Sequence, residues 1–443
     1  MTATDLTAAS AGHGVSTSTK RPHGVPAMLI LTFAYALSQF FRSYVSVMSP
    51  QLIDAFGFSA RTFGLFSGTF FLAFAVAQLP LGMAFDRFGI RRPMLVCMTL
   101  GTAGAVMLPL SDRPVLALAA QAALGLGCAP AYMGLLAWVM AAGHSVREVK
   151  TATVASTLGF VGAVIAGSPL AWAVASIGWR ASMGAAAVAM ALATAGIALS
   201  LGRDTRTVLR AGTSTASAGG QGPSSRRAVL VLLPVCFALA AGGTFRISWG
   251  GPYLSDVFHL GVAARGYAMT AASLCALGTS MLLAAALRVT RVKTLVVAGL
   301  AAGMLPALLV AIWPARDAVL SVGSICALFC VGSIHPLVMS QARAVVAQRH
   351  LGLWLGVLNT MVMLGIALTN AAFGAIASSA TQAGLPIDSL YRRLFLLTGT
   401  IIALGAVFAA FAPGAPARGP TDGGHRRVPA AKKRSPRPKG APE

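Results

Sequence analysis

Two sets of six apolar stretches predict an all-α membrane protein with twelve transmembrane helices arranged as two six-helix pseudo-repeats. Three observations carry that expectation. The 443 residues are 56% hydrophobic and only 10% charged, with a mean hydropathy of +0.75, whereas soluble domains carry about 25% charged residues. The apolar residues gather in runs of the roughly 20 residues that a helix needs to cross a bilayer. Finally, Pro50, Leu52, Asp54, Phe56 and Gly64 recur as Pro252, Leu254, Asp256, Phe258 and Gly266, at a constant displacement of 202 residues. A parallel internal repeat has this signature.

The first six spans are expected near 26–48, 66–85, 93–110, 115–141, 152–175 and 181–201. The second six are expected near 228–249, 266–287, 294–312, 318–342, 351–377 and 394–412. The first run is too long for a signal-peptide core and lacks a clear cleavage site, so it reads as a retained span. The halves are then an N-terminal bundle at 26–202 and a C-terminal bundle at 228–412, joined by a basic linker at 203–227. Residues 1–25 and the Pro-, Lys- and Arg-rich segment 413–443 read as disordered cytosolic ends.

Charge tests the map. The formal net charge is +23, from 34 Lys and Arg against 11 Asp and Glu. With both termini inside, the far side receives only Arg61, Arg113, Arg180, Arg265, Arg316, Arg392 and Arg393, and the spans hold Arg42 and Arg246. Every other basic residue falls on the cytosolic side, as the positive-inside rule requires. The excess charge therefore reports topology in a plasma membrane (the inner membrane in a Gram-negative cell), with the bilayer as partner and no nucleic acid. The six cysteines lie inside apolar runs and read as packing residues, with no zinc pattern and no other metal site. No cofactor is expected.

Between spans two and three stands Gly82-Met-Ala-Phe-Asp86-Arg87-Phe-Gly89-Ile-Arg91-Arg92. With twelve spans, a basic central linker and the repeat, it resembles the loop signature of the major facilitator superfamily (MFS). The resemblance covers about residues 26–412 and implies a rocker-switch transporter that is not an enzyme. It also implies a conformational latch at Gly82, Asp86, Arg87, Gly89, Arg91 and Arg92, with Asp86 holding the cytosolic ends of the halves together in one transport state. The matching second-half loop, Arg288-Val-Thr-Arg291-Val-Lys293, has no Asp, so only the first-half latch is expected. Gly159, Gly162, Gly167 and Pro169 in span five only loosely resemble the Gly-Pro signature of drug antiporters. The end of span six, Gly202-Arg203-Asp204-Thr205-Arg206, lacks the sugar-porter pattern.

Chemistry is expected where charge sits in the membrane. No Asp or Glu falls inside any predicted span, leaving Arg42, Arg246 and the ionisable His335. An arginine at mid-helix costs about 2.5–3.5 kcal/mol on insertion scales, so two need a reason. Snorkelling to the interface is one. A bound anion is the other, since a guanidinium presents a planar fork to carboxylate or phosphate. Arg42 belongs to a polar stripe with Tyr35, Ser38, Gln39 and Ser46, and Gly242 and Gly243 allow span seven to break before Arg246. One arginine in span one and another in span seven is positionally similar to the organophosphate:phosphate antiporters of the superfamily.

The expected substrate-binding set is Arg42 and Arg246 with Tyr35, Gln39, Tyr132, His335 and Asn359. Asn359 and Asn370 flank Met363 on span eleven and either face the path or bond across helices. Trp249 and Tyr253 read as interface anchors before path residues. The function expected is secondary transport of a small organic or inorganic anion by a monomer. The alternatives are an exporter of amphipathic drugs or siderophore-like compounds and a non-transporting sensor with the same fold. No Gly-rich loop ending in Gly-Lys-Ser/Thr is present to bring ATP into play.

Overall fold

The computed structural model describes residues 25–141, 146–201, 226–346 and 351–412. The expected terminal segments and nearly all of the linker lie outside these residues. Among the described residues there is no strand, and eleven helices are long and apolar enough to cross a membrane. One of them, Ser168–Ser200, has 33 residues. At 1.5 Å per residue it would run for about 50 Å, well beyond a ~30 Å bilayer core. Gly178 divides it, with φ 81° and ψ 163°, a conformation that glycine adopts without steric cost. The part before Gly178 continues the helix Val146–Ile165 as span five, and the part after it is span six. The fold is thus the expected twelve-helix MFS architecture.

In chain order, span one is Val25–Phe41 and Val45–Phe56, span two Ala60–Phe88, span three Arg91–Leu110, and span four Pro114–Cys128 with Pro130–Ala141. Span seven runs through Arg226–Thr244, a π-turn at Phe245–Trp249 and Gly250–Phe258. Span eight is Val262–Ala286 and span nine Val292–Ile312. Span ten is Ala318–Cys330, a 3-10 turn at Val331–Ile334 and His335–Val345. Spans eleven and twelve are Leu351–Gln382 and Ile387–Phe411.

Several boundaries differ from the sequence expectation for identifiable reasons. Span seven begins at Arg226, inside the expected linker. Span two starts at Ala60 because Ser59 caps it, its side chain accepting from the Thr62 amide at 3.2 Å. Span twelve starts at Ile387 because Arg392 and Arg393 point outward while Leu390, Tyr391 and Leu394 are buried. The longer helices also take in Asp54, Asp256 and Asp388, close to their ends.

The halves pack closely at one face. At the face away from the Gly82–Arg92 loop, a Cβ on Gly64 would lie 2.5 Å from the Asn370 carbonyl oxygen of span eleven. A Cβ on Gly251 would overlap the Ser46 carbonyl of span one, and the Gly251 amide donates to Ser46 Oγ at 3.0 Å. The Ser168 amide and hydroxyl both donate to Thr270 Oγ1, tying span five to span eight. Small residues are what let these backbones meet. Toward the basic face, spans two and eleven stay in touch: Asn359 reaches Gln78, and a Cβ on Gly356 would lie 3.5 Å from Leu79.

Trp249 and Tyr253, expected at the membrane interface, are instead buried in the seal. Trp249 packs against Phe63 and Phe373, and the Tyr253 hydroxyl donates to the Pro314 carbonyl. Trp249 ends the π-turn, and Tyr253 lies one helical turn beyond it. The stacked Phe245–Phe395 pair, with centroids 4.0 Å apart, completes the plug.

Candidate functional site

Spans one and seven both lose regular helix at equivalent places. In span one the irregularity covers Arg42, Ser43 and Tyr44, with no glycine or proline to announce it. Shifted by the repeat displacement, these residues fall on Thr244, Phe245 and Arg246, where span seven enters its π-turn. Gly242 contributes differently from expectation. A Cβ there would meet the Leu328 carbonyl at 2.6 Å, so Gly242 serves close packing on span ten.

The breaks free backbone acceptors. The Val47 amide bonds to the Tyr44 carbonyl at 3.2 Å, leaving the Ser43 carbonyl without its helical donor. Likewise the Gly167 amide turns to Val164, releasing the Ala163 carbonyl. Both oxygens are taken by Arg246. Its Nη1 donates to Ser43 O at 3.3 Å and its Nη2 to Ala163 O at 2.7 Å. Nε and Nη2 both donate to Ser273 Oγ of span eight, at 3.1 and 2.8 Å. Arg246 is 0% exposed, and its charge rests on neutral oxygens with the Phe329 ring 5.6 Å away. Freed carbonyls at helix ends carry partial negative charge, which makes them fitting partners for a cation.

Arg42 is the opposite case. Among the described residues no protein acceptor hydrogen-bonds to it, its Nε is buried without a partner, and its guanidinium lies over the Phe74 ring at 4.3 Å. Around it stand Tyr35, the Cys128 thiol and His335, close enough to interact electrostatically, and no carboxylate is among those neighbours. Tyr35 stacks obliquely on Tyr132 with centroids 5.0 Å apart, and Gln39 donates to the Tyr35 hydroxyl at 3.2 Å. Tyr132 remains 41% exposed. His335 opens the second helix of span ten, and its Nε2 is buried without a partner.

The expected set is therefore divided. Arg42, Tyr35, Gln39, Tyr132 and His335 come together, whereas Arg246 is engaged by protein acceptors. Asn359 donates to Gln78 Oε1 at 2.9 Å, a bond between the two halves, and Asn370 accepts from Ser248 Oγ at 2.6 Å. Phe74, Cys128 and Ser273 were missed because each is an ordinary member of an apolar helix in the sequence. Arg265, expected in a loop, is buried at the start of span eight within electrostatic range of Asp256.

On the basic face, Asp86 is exposed and makes no ion pair among the described residues. Arg87 stacks on Phe88, and Arg92 is exposed. Arg91 donates to the Ala198 carbonyl of span six at 2.8 Å. Gly89 adopts φ 75° to turn the chain and returns its amide to Phe85.

Two six-helix halves meeting at broken helices, with a free cation between them, define a polytopic membrane transporter. The family model of the Major Facilitator Superfamily matches residues 31–264, more than half of the chain. The chain belongs to that superfamily. A search of curated protein sequences gives no match. Among solved structures, the chain is similar to a bacterial homologue of the human lysosomal transporter Spinster in an inward-facing, occupied conformation. That match has 17% identity and a TM-score of 0.68, over 87% of this chain and 96% of that one. It is also similar to the nucleoside transporter NupG (14% identity, TM-score 0.68, 87% and 99% covered). A D-xylose–proton symporter shares 12% identity at a TM-score of 0.72, with 88% and 98% covered. At these identities the likeness is one of fold.

Proposed function

We propose that this transporter moves a small anion by alternating access and that Arg42 is the group that holds it. One observation carries this reading: a guanidinium at a helix break inside the bundle, with a buried Nε and no protein acceptor. A membrane-embedded cation without a partner is costly, and an anionic ligand supplies both the charge and the acceptors. Tyr35, Gln39, Tyr132 and His335 supply the neighbouring polar and aromatic surface. Arg246 then serves as a pin between the halves, and Asn359 as part of the contact between spans two and eleven. Asp86 takes a partner when the basic face closes. The distribution of basic residues favours a plasma-membrane protein with this face in the cytosol.

Arg42→Lys tests the assignment, because lysine keeps the charge and loses the bidentate fork. Uptake of labelled anion into proteoliposomes is expected to fall by about tenfold or more, the size of one strong charged hydrogen bond. Uptake near the wild-type level would sink the assignment. Counterflow separates transport from sensing, since a sensor binds the anion without flux.

A further inference from the structure

We infer that the substrate is a monoanion, a monocarboxylate with an apolar and preferably aromatic body, and not a phosphate or other multiply charged ion. The inference rests on the anion-binding reading above and names the substrate class of that site.

Charge balance is the first ground. Arg246 has Nε, Nη1 and Nη2 all committed to protein oxygens, and the buried Arg265 lies within electrostatic range of Asp256. Arg42 is left as one positive charge with no carboxylate beside it: its neighbours are Tyr35, Cys128, Phe74 and His335. One guanidinium balances one carboxylate. A dianion would keep an uncompensated charge inside the bundle, which is strongly unfavourable.

Lining chemistry is the second ground. The surface beside the guanidinium is aromatic: the Phe74 face at 4.3 Å and the Tyr35–Tyr132 pair, with the Tyr132 ring largely open. A fully hydrated inorganic ion gains nothing from rings. A flat apolar body gains area burial and offset stacking, while its carboxylate meets the fork of Arg42.

The test is ligand-induced thermal stabilisation of purified full-length protein, titrated with benzoate, acetate, benzyl alcohol, inorganic phosphate and sulfate. Benzoate is expected to bind about tenfold or more tightly than acetate, the scale of burying one ring, with no stabilisation from the other three. Tyr132→Ala is expected to reduce benzoate affinity more than acetate affinity and so to narrow that ratio. Phosphate or sulfate binding as tightly as benzoate would overturn the monoanion inference and leave the anion reading standing. Equal binding of acetate and benzoate, or an unchanged ratio in Tyr132→Ala, would overturn the aromatic body. Binding of benzyl alcohol equal to benzoate, or no binding by any anion, would overturn the anion reading itself.

Discussion

Arg42 and Arg246 occupy nearly equivalent places in the two repeats, two residues out of register, and have opposite fates. Arg246 reaches across the boundary between the halves and spends its donors on Ser43, Ala163 and Ser273. Arg42 stays within the N-terminal half, lies on an aromatic ring and bonds to no protein acceptor. The difference follows from where each helix break leaves its free carbonyls. The break in span one offers Ser43 O to the partner half, and the end of the first helix of span five offers Ala163 O. Both lie within reach of span seven. One buried cation is thereby consumed by architecture, while the Arg42 guanidinium keeps no protein acceptor among the described residues.

Substitutions can break or sharpen this contrast. The largest effect on stability is expected from Arg246→Met. It strands three buried oxygens, at about 1–3 kcal/mol for each one left unmet, visible as a lowered thermal midpoint in detergent. Arg42→Met is expected to leave that midpoint near the wild-type value, since it breaks no protein hydrogen bond. Equal losses for the two would erase the distinction. Ser273→Ala should cost less, about 1.5–3 kcal/mol, the worth of hydrogen bonds to a charged group. It should leave anion affinity almost unchanged, and a large affinity loss would place Arg246 back in the binding site. The smallest effect belongs to Phe74→Leu, which removes the ring beneath Arg42. A cation–π contact is worth about 0.5–2 kcal/mol, so anion affinity should change by a few-fold with little change in stability.

The same contrast shows how far the sequence was legible. Span count, two-fold repeat and the Gly82–Arg92 loop were readable, because apolar run length and charge asymmetry are imposed by the bilayer and need no tertiary information. Grouping Arg42 with Tyr35 and Gln39 was readable from helical spacing on one span. Joining Tyr132 and His335 to them rests on placing spans one, four and ten side by side, which is a tertiary arrangement. The sequence offered no way to separate Arg42 from Arg246, since both are lone arginines in apolar helices. The break in span one was equally hidden, as Phe41-Arg42-Ser43-Tyr44 contains neither glycine nor proline. Trp249 and Tyr253 look like interface residues in sequence and are buried, because the end of span seven, from the π-turn onward, packs into the seal.

What the sequence determined by itself is a membrane-spanning helical chain whose basic residues gather on one face and whose spans carry two unexplained arginines. The reason is that hydrophobic length and charge placement are properties of each segment against its solvent. What only the tertiary structure decided is which arginine has its hydrogen bonds met. That depends on carbonyls released by irregular turns in spans one and five, distant in sequence and brought within 3.3 Å of one side chain. Hydrogen-bond satisfaction is a pairwise property of the folded chain, so the difference between the Arg42 and Arg246 guanidiniums came to light only when their neighbours were in place.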